Sequence, residues 1–239
     1  MNTNKESISK KKPLYNITPF SLLDYPNKTS CIVWFSGCGM RCEFCYNIEI
    51  VENSGNYSYL DAIEFLKSRK GLLQGVVLCG GEPLFAYDKD MLFFIKEIKN
   101  MGFLIKLDTN GVAYEALKEL LELKLIDYVA LDFKAPQEKF EFVTKNSLKN
   151  YNLFLKSLKL LIDSKLEFEV RTTYHPELLS IEDLRKIILT LEELGYNQSY
   201  YIQSFLDSKE NFGSLQKVKN PRLSEFLISN NFKIIYRNF

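Results

Sequence analysis

Short apolar, β-branched runs alternate along this chain with longer segments whose apolar residues recur every three or four positions. The runs predict strands at Cys31–Ser36, Gly75–Cys79, Phe103–Asp108, Tyr128–Asp132, Glu167–Thr172 and Tyr200–Ser204. The helical spacing predicts helices over Tyr59–Arg69, Asp90–Met101, Tyr114–Leu123, Leu148–Asp163 and Ile181–Leu194. In the second of these, Met91, Phe94, Ile95 and Ile98 make one apolar face. Ser180, followed by Ile181, Glu182 and Asp183, carries the signature of a capped helix start.

Strands alternating with helices imply βαβ units and a parallel sheet. Six such units are fewer than the eight of a closed barrel. The expected fold is therefore an α/β protein with an incomplete (β/α)6 TIM-like barrel of parallel strands; a doubly wound sheet is the alternative that periodicity leaves open. No interdomain linker interrupts the 239 residues, so one domain is expected, with a flexible N-terminus (1–16), a barrel core (17–206) and a C-terminal extension (207–239). The extension reads as a polar loop from Asp207 to Lys219, then a helix at Leu223–Ser229 and a strand at Lys233–Tyr236.

Composition narrows the class. With 46% hydrophobic and 26% charged residues and a formal net charge of +1, the chain reads as an ordinary globular protein without the charge excess of a nonspecific nucleic-acid binder. The basic run Lys10-Lys11-Lys12 reads as a solvated terminus. No apolar stretch approaches a membrane span or a secretory core, which implies a cytoplasmic protein. Five cysteines, an odd number, argue against a disulfide framework. Cys31 and Cys79 sit in apolar strand runs and read as small core residues.

The other three fall within eight residues, Cys38, Cys42 and Cys45, spaced C-x3-C-x2-C. Structural zinc and ordinary iron–sulfur clusters want four protein ligands. A trio without a fourth implies a cubane with one iron left open to a non-protein ligand. In parallel α/β folds ligands gather at the carboxyl ends of the strands, and the polar motifs lie there. The cysteine loop follows the first strand, Gly80-Gly81-Glu82-Pro83 the second, and Asp108-Thr109-Asn110-Gly111 ends the third. Asp132-Phe133-Lys134, the stretch from Arg171 to Pro176, and Gln203 end the fourth, fifth and sixth. Singly, each has a plain reading: Gly-Gly as a turn, Asp132 with Lys134 as an ion pair, and the lone histidine, His175, as a structural group.

Together these residues resemble the radical S-adenosylmethionine (SAM) superfamily, whose marks are the C-x3-C-x2-C loop and the Gly-Gly-Glu-Pro segment. The resemblance implies a [4Fe-4S] cluster on Cys38, Cys42 and Cys45, with SAM on the open iron. Reductive cleavage of SAM would give methionine and a 5′-deoxyadenosyl radical that takes hydrogen from the substrate. It further implies that Gly80, Gly81 and Glu82 serve the SAM amino group, and that Phe44, Tyr46 and Asn47 lie towards the adenine. Tyr46 stands where many members have histidine. Asp132 and Lys134 match an Asp-x-Lys element that contacts ribose and carboxylate; Arg171 would pair with the carboxylate, Gln203 would lie on the adenine side, and Thr109 and Asn110 complete the cofactor-binding set.

Within the superfamily the segments Ser21–Pro26, Lys106–Gly111 and Asp127–Pro136 are similar to the activating proteins of anaerobic ribonucleoside-triphosphate reductase. Asn27 replaces the glycine usual after Asp24-Tyr25-Pro26, and asparagine tolerates the same left-handed backbone. The implied activity is formation of a glycyl radical on that reductase, fed by a low-potential donor such as flavodoxin or ferredoxin, with no nucleic-acid or membrane partner. The competing readings are a 7-carboxy-7-deazaguanine synthase-like enzyme acting on a pterin and, from another class, a non-catalytic metal-binding module.

Overall fold

A computed structural model describes residues 11–207, 210–218 and 223–239. In chain order the elements are β1 (Leu14–Ser21), β2 (Ser30–Phe35), α1 (Ile48–Glu52), α2 (Tyr59–Lys67), β3 (Gly75–Gly80), α3 (Lys89–Asn100), β4 (Leu104–Thr109), α4 (Tyr114–Glu122), β5 (Tyr128–Asp132), α5 (Gln137–Thr144), α6 (Leu148–Ser164), β6 (Phe168–Tyr174), α7 (Ile181–Glu193), β7 (Tyr200–Ser204) and β8 (Ile234–Arg237). The strands follow one another in the sheet in sequence order. Two compact units are distinguished: one of the chain up to Gly39 with Glu49–Thr109 and Glu115–Val129, the other of Met40–Ile48, Asn110–Tyr114 and the chain from Ala130 onward.

In the first unit β2, β3 and β4 run parallel, with Val33 opposite Leu78 and Val76 opposite Ile105. Strands covered on both faces read as continuous apolar runs rather than alternating ones. Accordingly Ile32, Val33, Phe35, Val76, Val77, Leu78, Ile105 and Leu107 are all buried. Tyr25, Ile32, Val77 and Tyr128 form a cluster against which Trp34, Cys79 and Leu104 pack. Cys31 is fully buried, and burial pushes its thiol pKa up to about 12. Cys79 and Cys31 are thus the packing residues that their apolar context predicts. Asn27 holds φ = 58°, the left-handed conformation expected of it.

β1 lies antiparallel to β2, where the sequence pattern predicts no strand. It is an edge strand with Asn16, Thr18 and Pro19 interleaved among its apolar residues, and only Leu14 is fully buried. An edge needs neither a continuous apolar run nor a hydrogen bond from every N–H, so proline is tolerated there. Leu14, Tyr15 and Asn16 therefore belong to the sheet and correct the flexible terminus expected over residues 1–16; residues 1–10 lie outside the described residues.

In the second unit β6, β7 and β8 run parallel, with Val170 opposite Tyr200 and Ile202 opposite Tyr236. The Tyr196 hydroxyl donates to the Ser199 carbonyl at 2.6 Å and accepts from the Val170 N–H at 3.1 Å, joining β6 to the turn before β7. The short α5, eight residues that bury Phe140, Val143 and Thr144, gives too few turns for its periodicity to register, and its cap, Pro136, offers no side-chain acceptor. The helix expected at Leu223–Ser229 is a single 3-10 turn, Leu223–Glu225. Among the described residues no helix is long and apolar enough to cross a membrane.

α7 begins as its sequence predicts. Ser180 accepts from the Asp183 N–H at 3.1 Å, while the Asp183 carboxylate accepts from the Ser180 N–H at 2.8 Å. Ser180→Ala removes half of this box and should lower unfolding free energy by about 1 kcal/mol, measured by urea denaturation, whereas Ser180→Asp should retain most of the stability.

Candidate functional site

In the first unit, the end of β3 is pressed onto the chain that leaves β2. The Gly81 N–H donates to the Phe35 carbonyl and the Glu82 N–H to the Gly37 carbonyl, both at 2.9 Å. A Cβ on Gly80 would stand 2.3 Å from the Phe35 oxygen, and one on Gly81 2.2 Å from the Gly37 oxygen. Gly80 also has φ = 130°. The Gly-Gly pair is therefore required by the backbone of the cysteine loop itself, before any ligand is considered. Phe85 lies against the same loop, 3.3 Å from where side chains would begin on Gly37 and Gly39.

Glu82 is 4% exposed. Its Oε1 accepts from the Thr109 hydroxyl at 2.7 Å and from the Leu84 N–H at 3.2 Å, tying the turn after β3 to the end of β4. A buried carboxylate needs such donors to offset lost hydration. Glu82 and Thr109, both expected in the cofactor set, are thus brought together as partners. Cys38, of intermediate burial, is this unit's only member of the cysteine trio.

The second unit holds the rest. Cys42 is buried and Cys45 partly so, and the Cys45 N–H donates to the Cys42 carbonyl at 2.9 Å in a tight turn. Neighbouring backbone groups anchor this turn to the end of α5: Arg41 N–H donates to the Thr144 carbonyl at 3.0 Å and Glu43 N–H to the Val143 carbonyl at 2.9 Å. Phe44 is buried, with the Lys134 ammonium 5.5 Å from its ring centre. Asn110 is buried and its Oδ1 accepts from the Val112 N–H at 3.0 Å. Tyr46 is exposed; Asn47 and Gln203 are half-buried, and Gln203 pairs in register with Thr173 and Arg237.

Asp132 stands between two cations. Lys134 Nζ lies 3.0 Å from Oδ2, and Arg171 Nε and one terminal nitrogen lie 3.0 Å from Oδ1. Arg171 thus has its Nε and one terminal nitrogen on the Asp132 carboxylate. Behind it Glu169, deeply buried, lies 3.9 Å from Arg171 and 3.3 Å from both terminal nitrogens of Arg237. Lys134, Arg171 and Arg237 share the carboxylates of Asp132 and Glu169 in one partly buried ion-pair network. Burial acts to raise the Asp132 pKa, but the Arg171 and Lys134 charges outweigh it and hold the carboxyl below its usual range.

Glu169 and Arg237 carry no motif that sequence reading could have singled out. His175 has the structural role. It is 1% exposed, its Nε2 is 2.9 Å from the Gln216 carbonyl, and its Nδ1 accepts from the Glu177 N–H at 3.3 Å. With Nδ1 accepting, the donor to Gln216 is Nε2–H.

All five cysteines are free thiols. Among the described residues no three His, Cys, Asp or Glu side chains gather about a point that could hold one metal ion. An iron–sulfur cluster is held by one thiolate per iron, so its ligands need not converge as zinc ligands do. Free thiols at Cys38 in the first unit and at Cys42 and Cys45 on the second unit's hydrogen-bonded turn are the donor chemistry that such a cluster takes.

The comparisons agree. A model of the Radical SAM superfamily matches residues 32–191. A protein of Methanocaldococcus jannaschii named as a glycyl-radical enzyme activating enzyme is 31% identical over 216 residues, covering 87% of this chain and 86% of its own. The pyruvate formate-lyase-activating enzyme of Clostridium pasteurianum is 27% identical over 240 residues, covering 90% and 96%. Among solved structures, Streptococcus suis SuiB bound to S-adenosylmethionine superposes with a TM-score of 0.66 at 15% identity, over 87% of this chain and 52% of that one, so the chain spans about half of SuiB's length. This likeness is one of fold, the incomplete TIM-like barrel. The chain belongs to the radical SAM superfamily. Its cofactors are that superfamily's, a [4Fe-4S] cluster and SAM.

Two outcomes follow from this geometry. Gly81→Ala should destabilise the protein by about 1–3 kcal/mol, read from urea midpoints, because the neighbour it meets is backbone. A carboxyl whose folded pKa is depressed stabilises the fold above its unfolded pKa, and that stability is lost as pH falls through the folded value. Stability measured against pH should therefore decline below about pH 4, and Asp132→Asn should flatten its share of that decline.

Proposed function

We propose that this chain is a glycyl-radical-enzyme activase and that its partner is anaerobic ribonucleoside-triphosphate reductase. The observation that carries the activase reading is the extent of similarity to activating enzymes, which runs over 86% and 96% of two such relatives. The reductase is favoured by the segments Ser21–Pro26, Lys106–Gly111 and Asp127–Pro136, which resemble its activating proteins. A low-potential donor such as flavodoxin or ferredoxin would supply the electron, in the cytoplasm.

In this reading Cys38, Cys42 and Cys45 hold the cluster. When bound, cluster and SAM supply a one-electron cleavage that yields methionine and a 5′-deoxyadenosyl radical, which becomes 5′-deoxyadenosine by taking the Cα hydrogen of a partner glycine. The protein's part is placement. Gly80 and Gly81 keep side chains out of the cysteine loop's backbone, and Glu82 with Thr109 fixes the turn that follows. Lys134 and Arg171 receive the SAM carboxylate, while Asp132 restrains both cations and serves the ribose. Phe44, Tyr46, Asn47, Asn110 and Gln203 complete the nucleoside's surroundings.

The test is anaerobic. Reconstituted protein with SAM and a strong reductant should release 5′-deoxyadenosine and raise a glycyl doublet in the electron paramagnetic resonance spectrum of the reductase. Alanine at Cys38, Cys42 or Cys45 should abolish both, and Cys31→Ala should retain both. A doublet only on another glycyl-radical protein would remove the reductase as partner; cleavage with no doublet on either would overturn the activase reading.

A further inference from the structure

Sequence reading gives the segment after β7 no role beyond a polar loop. In the second unit it is a strap across the cysteine loop. The Gly213 N–H donates to the Glu43 carbonyl at 2.8 Å and the Phe212 N–H to the Cys45 carbonyl at 3.3 Å. The Arg41 guanidinium lies 5.6 Å from the Phe212 ring centre. The fit is close: a Cβ on Gly213 would stand 2.9 Å from the Glu43 carbonyl oxygen and 2.3 Å from its carboxylate. The residues that receive the strap, Glu43 and Cys45, belong to the turn that runs from Cys42 to Cys45.

The strap has its own supports. The buried Asn211 side chain accepts from the Leu215 N–H at 2.7 Å and donates to the Leu215 carbonyl at 2.9 Å, closing the segment into a defined loop. Its far end is tied by His175, at the end of β6, through Nε2 to the Gln216 carbonyl at 2.9 Å. The imidazole is itself fixed by the Glu177 N–H and by an edge contact with Phe205, ring centres 5.1 Å apart. A buried donor with a single backbone partner and a ring held on two other sides has one orientation.

We infer that His175 and the strap Asn211–Gln216 are positioning elements of the cluster site: together with α5's anchor on Arg41 and Glu43, they hold the Cys42–Cys45 turn in its ligating form. The α5 end fixes the turn through N–H donors of the loop, and the strap fixes it through carbonyl acceptors of the loop. Groups that orient metal ligands from behind set how firmly the metal is held. The inference rests on the reading that Cys42 and Cys45 are cluster ligands.

The experiment compares the wild-type chain with Gly213→Ala, His175→Phe and His175→Gln. Each is reconstituted anaerobically with ferrous iron and sulfide. Iron and sulfide per chain, the rate of cluster bleaching by an iron chelator, and thermal unfolding of the cluster-free protein are then measured. Gly213→Ala should bleach about tenfold faster or more with little change in the unfolding temperature of the cluster-free chain. His175→Phe should do the same, and His175→Gln, whose amide can donate to the same carbonyl, should restore most of the wild-type rate. Wild-type bleaching rates in both Gly213→Ala and His175→Phe would overturn the strap's role while leaving the cluster reading intact. A wild-type chain that takes up no cluster would overturn both.

Discussion

Everything else at the site depends on how closely the backbone at the end of β3 approaches the chain leaving β2. The N–H groups of Gly81 and Glu82 donate into carbonyls of the other chain segment, and at Gly80 and Gly81 the gap admits no side chain, so those two positions must be glycine. This docking fixes where the cysteine loop starts. It also aims Glu82 at Thr109, converting the ends of three neighbouring strands into one rigid edge. The usual reason offered for such glycines is room for a ligand. Here the protein's own backbone already fills that room, and any ligand approaches an edge organised beforehand.

A second constraint is electrostatic. Asp132 neutralises part of the charge on Lys134 and Arg171, and Glu169 does the same for Arg171 and Arg237. Without these carboxylates three cations would repel one another in partial burial. The carboxylates thus hold long, flexible side chains in place before a ligand arrives, which lowers the ordering cost of binding.

Much of this was legible in the sequence. The six core strands and five major helices announce themselves because doubly covered parallel strands need continuous apolar runs and surface helices need a striped face. The capping residues Ser180 and Asp183, the left-handed Asn27 and the packing roles of Cys31 and Cys79 follow from local chemistry that context does not override. What stayed hidden depends on partners distant in sequence. β1 is an edge whose polar interleaving resembles a loop. Glu169 and Arg237 are ordinary charged residues until β6 and β8 are brought close by β7. The strap at Asn211–Gln216 holds the loop mainly through main-chain groups, and Gly213 is unremarkable until Glu43 lies against it.

The buried thiol of Cys31 has one more consequence. Iron and sulfide seek thiolates, and a thiol with a pKa near 12 presents almost none at neutral pH. Fully buried, this cysteine is also closed to solvent, although it lies only seven residues before the first member of the trio. A closed core thus leaves the cysteine nearest the trio in sequence on its N-terminal side as a hydrocarbon-like packing group.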